Sequence, residues 1–224
     1  MNGFPSPNFG ERREGVKPSI IVIHYTAMAS CAEARARLCD PEAEVSAHWL
    51  IAEDGAVEAL VDEAARAWHA GAGHWAGLSD INSHSIGIEL ANRGTHPFPE
   101  PQMAALEGLL RDIMARWAIP PVRVIGHSDM APARKTDPGP RFDWRRLAMQ
   151  GLAVWPGPAE IPTGATLRDL AGAAGYDPAL DEGLLLTAVR LRFRPWAHGP
   201  VDEADLALLA GLVRFAVDGA GPSA

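Results

Sequence analysis

The sequence predicts an α/β protein: a central mixed β-sheet flanked by helices, followed by a small three-helix unit at the C-terminal end. Three observations predict it. Short apolar runs at 19–24, 85–91 and 122–125 are separated by stretches of helical periodicity and by turn-forming residues. Residues 48–61 hold two apolar runs joined by Glu53-Asp54-Gly55, a hairpin signal. Beyond residue 155 the strand patterns stop and three helical patterns follow in succession.

Each element has its own justification. Residues 1–17, rich in proline and glycine, read as an extended arm. The run 19–24 (SIIVIH) is continuously apolar and ends in a polar residue, as suits a buried strand carrying a functional group at its end. From 30 to 40, Ala, Glu, Arg and Leu predict a short helix, with Ser30 as N-cap and Pro41 as the stop. In the hairpin, Asp54-Gly55 supplies the positive φ values of a tight turn. Residues 69–84 hold Gly71, Gly73, Gly77, Asp80 and Asn82 and read as a long loop. In the strand 85–91, Ile86, Ile88 and Leu90 share one face, so Glu89 points to the other with Gly87 and Ala91.

Residues 100–117 are the strongest helix: Met103, Leu106, Leu109, Leu110, Ile113, Met114 and Trp117 recur at helical spacing. A strand at 122–125 runs into Gly126-His127, and Pro132, Pro138, Gly139 and Pro140 make 128–141 an irregular, stiffened loop. A helix at 143–150 follows, then a linker centred on WPGPAEIP (155–162). Helices at 166–175, 181–193 and 202–218 start after the capping residues Thr166, Asp181 and Asp202. A unit of about 60 residues is near the lower limit for folding alone, so it is expected to pack on the first domain.

The chain has 224 residues, 47% of them hydrophobic and 21% charged, an ordinary globular composition long enough to bury a sizeable core. A formal net charge of -8 argues against nonspecific nucleic-acid binding and against electrostatic adhesion to anionic surfaces. No stretch of about 18 apolar residues appears, and residues 1–15 lack an apolar run behind a basic start. A cytoplasmic location is therefore expected, with the periplasm as the alternative should a native export signal lie outside this chain. Cys31 and Cys39, placed on one helix, stand about 12 Å apart along its axis, beyond the roughly 7 Å that a disulfide spans; they read as free, buried thiols. No phosphate loop and no G-x-S-x-G elbow is present.

Two predicted strands end at His24 and His127, and ten residues after His127 comes Asp137, inside Lys135-Thr136-Asp137-Pro138-Gly139-Pro140. Two imidazoles and a carboxylate are a protein ligand set of catalytic zinc, leaving a fourth position open; structural sites use four ligands rich in cysteine, and here there are too few. The bland alternative is a pair of core histidines beside a proline-rich turn. Glu89, mid-strand, is either a solvated face residue or a general base beside the metal. Lys135, one of only two lysines in an Arg-biased chain, is either a surface residue or an oxyanion stabiliser across the metal.

The blocks IVIHYTA, VSAHWLIAEDG, AWHAG, SIGIELAN and GHSDMAPARKTDPGPRFDW resemble the zinc N-acetylmuramoyl-L-alanine amidases of the AmpD/AmiD type, a family that shares its fold with peptidoglycan recognition proteins. The likeness runs over about residues 6–150 in the same order. Segment 163–218, with FRPWAHGPVDEADLALLAGLV, more weakly resembles the three-helix peptidoglycan-binding domain that follows the catalytic domain in AmiD-type enzymes. The domain division expected is an arm at 1–17, a zinc amidase domain at 18–152, a linker at 153–162 and a three-helix peptidoglycan-binding-like domain at 163–219.

The resemblance implies one zinc ion per chain on His24, His127 and Asp137, Glu89 as the catalytic carboxylate and Lys135 as the transition-state stabiliser. It implies hydrolysis of the bond between N-acetylmuramic acid, expected in its 1,6-anhydro form, and L-alanine, in cell-wall recycling. The alternatives are an envelope enzyme acting on intact wall and a non-catalytic peptidoglycan sensor. The partner is thus a muropeptide or peptidoglycan fragment. His69, in Trp68-His69-Ala70-Gly71, either contacts substrate or makes structural hydrogen bonds. Trp75 either stacks on a sugar or lies against the loop, and Asn92 is a candidate contact to the peptide. His48 reads as structural, and His74, His84, His96 and His198 as exposed. One departure stands out: AmpD-type enzymes tend to carry arginine in the loop before the SIGIEL strand to grip a substrate carboxylate, and here that loop, WAGLSDINSH, has none.

Overall fold

The structure, a computed structural model, describes residues 5–218. In chain order the elements are β1 (Phe9–Gly10), β2 (Ile20–Tyr25), α1 (Cys31–Leu38), β3 (Trp49–Ile51), β4 (Val57–Ala59), β5 (Arg66–Ala67), α2 (Ile81–His84), β6 (Ser85–Leu90), α3 (Glu100–Trp117), β7 (Val124–Gly126), α4 (His127–Met130), α5 (Trp144–Met149), α6 (Leu167–Ala174), α7 (Glu182–Phe193) and α8 (Glu203–Asp218). No helix among the described residues is long and apolar enough to cross a membrane.

Five strands form one mixed sheet in the order β4-β3-β6-β2-β7. β6 pairs in parallel with β2 and with β3, β7 pairs in parallel with β2, and β4 pairs antiparallel with β3 through the predicted hairpin. The hairpin turn differs from the tight form expected. Only Gly55 of the Asp-Gly pair has positive φ, at 89°, and the chain closes over Glu53, Asp54 and Gly55 with the Ala52 amide donating to Ala56 at 2.9 Å. A three-residue loop with its glycine in the left-handed region is the next commonest solution.

Alternation along the strands divides the core into two faces. Ile21 and Ile23 of β2, Ile86, Ile88 and Leu90 of β6 and Val124 of β7 face α3, which buries Met103, Leu106, Leu110 and Ile113 against them. Full burial of each such side chain contributes roughly 1.5–3 kcal/mol. Ile20, Val22 and Ile125 face the other way, into a cluster built largely from the C-terminal helices: Leu170, Ala171, Leu185, Val189, Phe193 and Leu209. Val154 and the half-buried Trp155, Ala159 and Ile161 join that cluster, so the segment at 153–162 lines the same core. α1 covers the far end of this second face, with Ala34 and Leu38 on Leu50 and Leu60.

The caps expected from the sequence are made. Ser30 Oγ accepts the Glu33 amide at 3.2 Å, Thr166 and Asp169 cap α6 reciprocally, Asp181 accepts the Gly183 amide at 2.8 Å, and Asp202 accepts the Asp205 amide at 2.9 Å.

Several local expectations need correction. The arm is not merely extended. β1 pairs with β5, and the buried Arg12 guanidinium donates to the carbonyls of Glu63, Asn82, Ser83 and Ser85. The loop expected at 69–84 ends in the helical turn α2. The strand expected at 122–125 begins only at Val124, after a 3-10 turn at Pro121–Arg123, and the irregular stretch after it opens with α4. Cys31 and Cys39 are free, as expected, but half-buried.

Candidate metal centre and cleft

The carboxyl ends of parallel strands are where α/β sheets place ligands, and here three chemistry-bearing residues arrive there by register. His24 lies directly beside Glu89 in the β2–β6 ladder, and β7 ends one residue before His127. His24 and Glu89 sit at the same parity as Val22 and Gly87, so both project from the second face of the sheet. Asp137 comes from the proline-rich loop. That loop is fixed by the Ser128 amide donating to the Asp137 carbonyl at 2.9 Å, and it packs on Gly126, where a Cβ would stand 2.7 Å from Pro138 Cδ.

His24 Nδ1, His127 Nδ1 and Asp137 Oδ2 form a nearly equilateral triangle, with edges of 2.9, 3.0 and 3.0 Å. Donor atoms about 2.0–2.1 Å from a tetrahedral zinc stand about 3.3 Å apart, so the triangle is of the right size. Its chemistry also fits. His127 Nε2 lies 3.0 Å from the Ala70 carbonyl, which can only accept, so a neutral His127 carries its proton there and turns a bare Nδ1 inward. Burial, reinforced by the neighbouring His127, lowers the His24 pKa to about 4, so the His24 imidazole is neutral. Asp137 Oδ2, 3.0 Å from Nδ1 of each histidine, completes the set. A buried cluster of electron-pair donors of this kind matches a cation.

Glu89 stands next to the triangle. Its Oε2 is buried and has no hydrogen-bond partner among the described residues. Burial, with the Asp137 charge adding to it and Lys135 opposing, pushes its pKa up to about 8. A carboxyl kept near neutrality is suited to moving protons. Lys135 lines the same cleft, a cavity of about 410 Å³ that also takes in Thr26, Arg37, Trp68, His69, Arg134 and Thr136.

The remaining site candidates divide. His69 lines the cleft but is nine-tenths buried and lies behind His24, with its Nδ1 3.0 Å from His24 Nε2 and its Nε2 3.2 Å from Ser85 Oγ. Trp75, offered above as a sugar contact, is a core residue: it is 3% exposed and packs edge-on against Tyr176 at 4.9 Å, away from the cleft. Asn92, offered as a peptide contact, is buried outside the cleft. Its Oδ1 accepts the Gly94 amide at 2.7 Å and its Nδ2 donates to the His96 carbonyl, which folds the 92–96 turn. His48 is buried, as its structural reading requires. His96 and His198 are exposed, but His74 and His84 are half-buried.

Three cleft residues escaped sequence reasoning. Trp68 precedes His69 in the block already singled out, and adjacency to a candidate was its one signal. Arg134 clamps the 70–72 segment, donating to the carbonyls of Ala70 and Ala72. Arg37, in the last turn of α1, reaches the cleft with no hydrogen-bond or ion-pair partner among the described residues.

Several known proteins resemble this chain. The family profile described as N-acetylmuramoyl-L-alanine amidase matches residues 14–140. The chain is 35% identical to N-acetylmuramoyl-L-alanine amidase AmiD of Escherichia coli K12, over 85% of this chain and 80% of the relative. It is 35% identical to 1,6-anhydro-N-acetylmuramyl-L-alanine amidase AmpD of Enterobacter cloacae, over 64% of this chain and 86% of that protein. Among solved structures, that of E. coli AmiD with the substrate anhydro-N-acetylmuramic acid-L-Ala-D-γ-Glu-L-Lys superposes with a TM-score of 0.79 at 34% identity, covering 92% of this chain and 97% of that one.

Proposed function

This chain belongs to the N-acetylmuramoyl-L-alanine amidase family, and from that premise we propose that it hydrolyses soluble 1,6-anhydromuropeptides between the muramic acid lactyl carbonyl and L-alanine, with zinc on His24, His127 and Asp137. The observation that carries the reading is the donor triangle with an unpartnered carboxyl, Glu89, at its side. The anhydro form of the substrate is suggested by the names of the relatives and by the muropeptide bound to the E. coli enzyme.

A bound zinc would supply Lewis acidity, acidifying water and polarising the scissile carbonyl. The chain's own residues do the rest. Glu89 takes a proton from the attacking water and returns it to the departing L-alanine nitrogen. The Lys135 ammonium faces the carbonyl oxygen as negative charge develops there. Arg37, unpaired among the described residues, supplies the cation for a stem-peptide carboxylate that the loop at 75–84 lacks. The apolar wall of Ala34 and Leu38 beside Trp68 shields the reacting bond from bulk water.

The test is mass spectrometry of products from the zinc-loaded protein, given soluble 1,6-anhydromuropeptide and intact sacculi side by side with a chelated control. Chelator-sensitive release of peptide from the soluble substrate alone is expected. Comparable release from sacculi would replace this reading with a wall-active enzyme, and no release from either would defeat both. Glu89→Ala should retain zinc and lose about 10²–10⁴ in rate, and Lys135→Ala about 10²–10³. The reading places the enzyme in the cytoplasm, with the envelope as the alternative, and cell fractionation tests that assignment.

A further inference from the structure

We propose that His69 and Ser85 are positioning residues: a one-way chain of hydrogen bonds running from His24 to the carbonyl of Ile81 fixes the proton of His24 on Nε2 and so presents Nδ1, bare, to the cation. The inference rests on the metal reading above and concerns residues that lie behind the donor triangle.

The direction of the chain follows from counting hydrogens. Ser85 Oγ lies 2.5 Å from the Ile81 carbonyl oxygen, which has no hydrogen to give, so the single hydroxyl hydrogen of Ser85 is committed to that contact. Toward His69 Nε2, 3.2 Å away, Ser85 can then only accept, and His69 must carry its proton on Nε2. His69 is buried with no carboxylate against its ring among the described residues, so it carries that one proton alone and its Nδ1 is a bare acceptor. Nδ1 stands 3.0 Å from His24 Nε2, which must therefore be the donor. A neutral imidazole carries one such proton, and Nδ1 of His24 is left without one.

The opposite arrangement has an evident attraction. With its proton on Nδ1, His24 could donate directly to the Asp137 carboxylate at 3.0 Å, closing the site on itself without a metal. That would require His69 to turn its proton to Nδ1 and Ser85 to turn its hydroxyl to His69. Two oxygens, Ser85 Oγ and the Ile81 carbonyl, would then face each other at 2.5 Å with no hydrogen between them. The chain therefore holds the site open for a cation.

The fold reserves room for this. The His69 ring lies over Gly87, where a Cβ would stand 2.3 Å from Cγ of the ring, and it meets His24 edge-on at 5.1 Å. The 69–70 backbone is held in turn by Asn82, whose Oδ1 accepts the amides of His69 at 3.1 Å and Ala70 at 2.8 Å. Ala70 also receives the Nε2 proton of His127, so one segment orients both histidines. Outer partners of metal-bound histidine typically contribute 10–100-fold to metal affinity.

The test uses the full chain with ¹⁵N-labelled histidine. Long-range proton–nitrogen spectra of the metal-free wild type should show both His24 and His69 protonated at Nε2. Ser85→Ala should give a mixed His24 tautomer and bind zinc 10–100-fold more weakly in competition with a chromogenic chelator, while Ser85→Thr, which keeps the hydroxyl, should restore both readouts. A wild-type His69 protonated at Nδ1 would overturn the proposal whatever the variants do. So would a Ser85→Ala protein with unchanged tautomers and unchanged zinc affinity. A wild type with the stated tautomers but no measurable zinc binding would support the hydrogen-bond chain and overturn the metal reading instead.

Discussion

His48 accepts the Gly87 amide at Nδ1 over 2.9 Å, and its Nε2 lies 3.2 Å from the Ala65 carbonyl. Burial, with the nearby Arg12 charge adding, lowers its pKa to about 3. The consequence for stability has a definite sign. An unfolded chain takes up the proton near pH 6.5, while the folded one refuses it until about pH 3. Stability from this residue is therefore complete above about pH 6.5 and is lost as pH falls toward the folded value, by up to about 1.4 kcal/mol per pH unit. His24, lowered to about 4, acts in the same direction in the metal-free protein. Urea unfolding of that protein should give a midpoint that falls between pH 6.5 and 5, and His48→Asn should flatten the fall. A midpoint that rises with acid would contradict the burial of neutral imidazoles. Residue identity carried part of this into the sequence reading: the types and spacing of His24, His127 and Asp137 offered a zinc ligand set beside the blander reading of core histidines, and the family resemblance favoured the first. It could not orient Trp75 or Asn92, because whether such a side chain meets a cleft or a core depends on what packs beside it, and Trp75 meets Tyr176 from the bend just after α6, a hundred residues on.

Strand β6 carries its two duties on alternate residues. Ile86, Ile88 and Leu90 build the core against α3, while Ser85, Gly87 and Glu89 face the chemistry. Gly87 is the tight point of this strand, since a methyl there would overlap the His69 ring. Gly87→Ala should cost about 1–3 kcal/mol through overpacking and displace His69 from His24. Thermal melting and zinc competition would check it; a variant with wild-type melting and wild-type zinc affinity would show that the ring has slack. Elements with strong internal periodicity, β6 and α3, were legible from sequence because their own side chains specify them. α4 and the β1–β5 pair were not. α4 is four residues long and is locked from elsewhere: Asp129 accepts from Tyr176 at 2.9 Å and pairs with Arg192 at 2.6 Å. Two-residue ladders carry almost no pattern to read.

At the scale of the molecule, one sheet divides the protein into two layers, and the C-terminal helices supply much of the second. Their apolar side chains close over Ile20, Val22 and Ile125, and Arg192 reaches through to Asp129, two residues after His127, with its guanidinium also over the Trp144 ring at 4.1 Å. The three helices themselves were legible from caps and periodicity. Their role was not, because the composition break at WPGPAEIP marks a change of secondary structure and says nothing of which surfaces meet. A division into catalytic and peptidoglycan-binding-like domains at 153–162 thus remains a proposal about function laid over a continuous core. The shared core also bears on what a cut would do. Residues 162–164 are exposed, on a segment that bridges the layers. A protease that nicks the backbone there should yield two pieces on a denaturing gel that still travel as one particle on a sizing column, hydrolyse substrate, and part only in urea. The severed chain would behave as a heterodimer whose subunits were made as one. If the pieces drift apart in plain buffer, the C-terminal helices are a passenger after all.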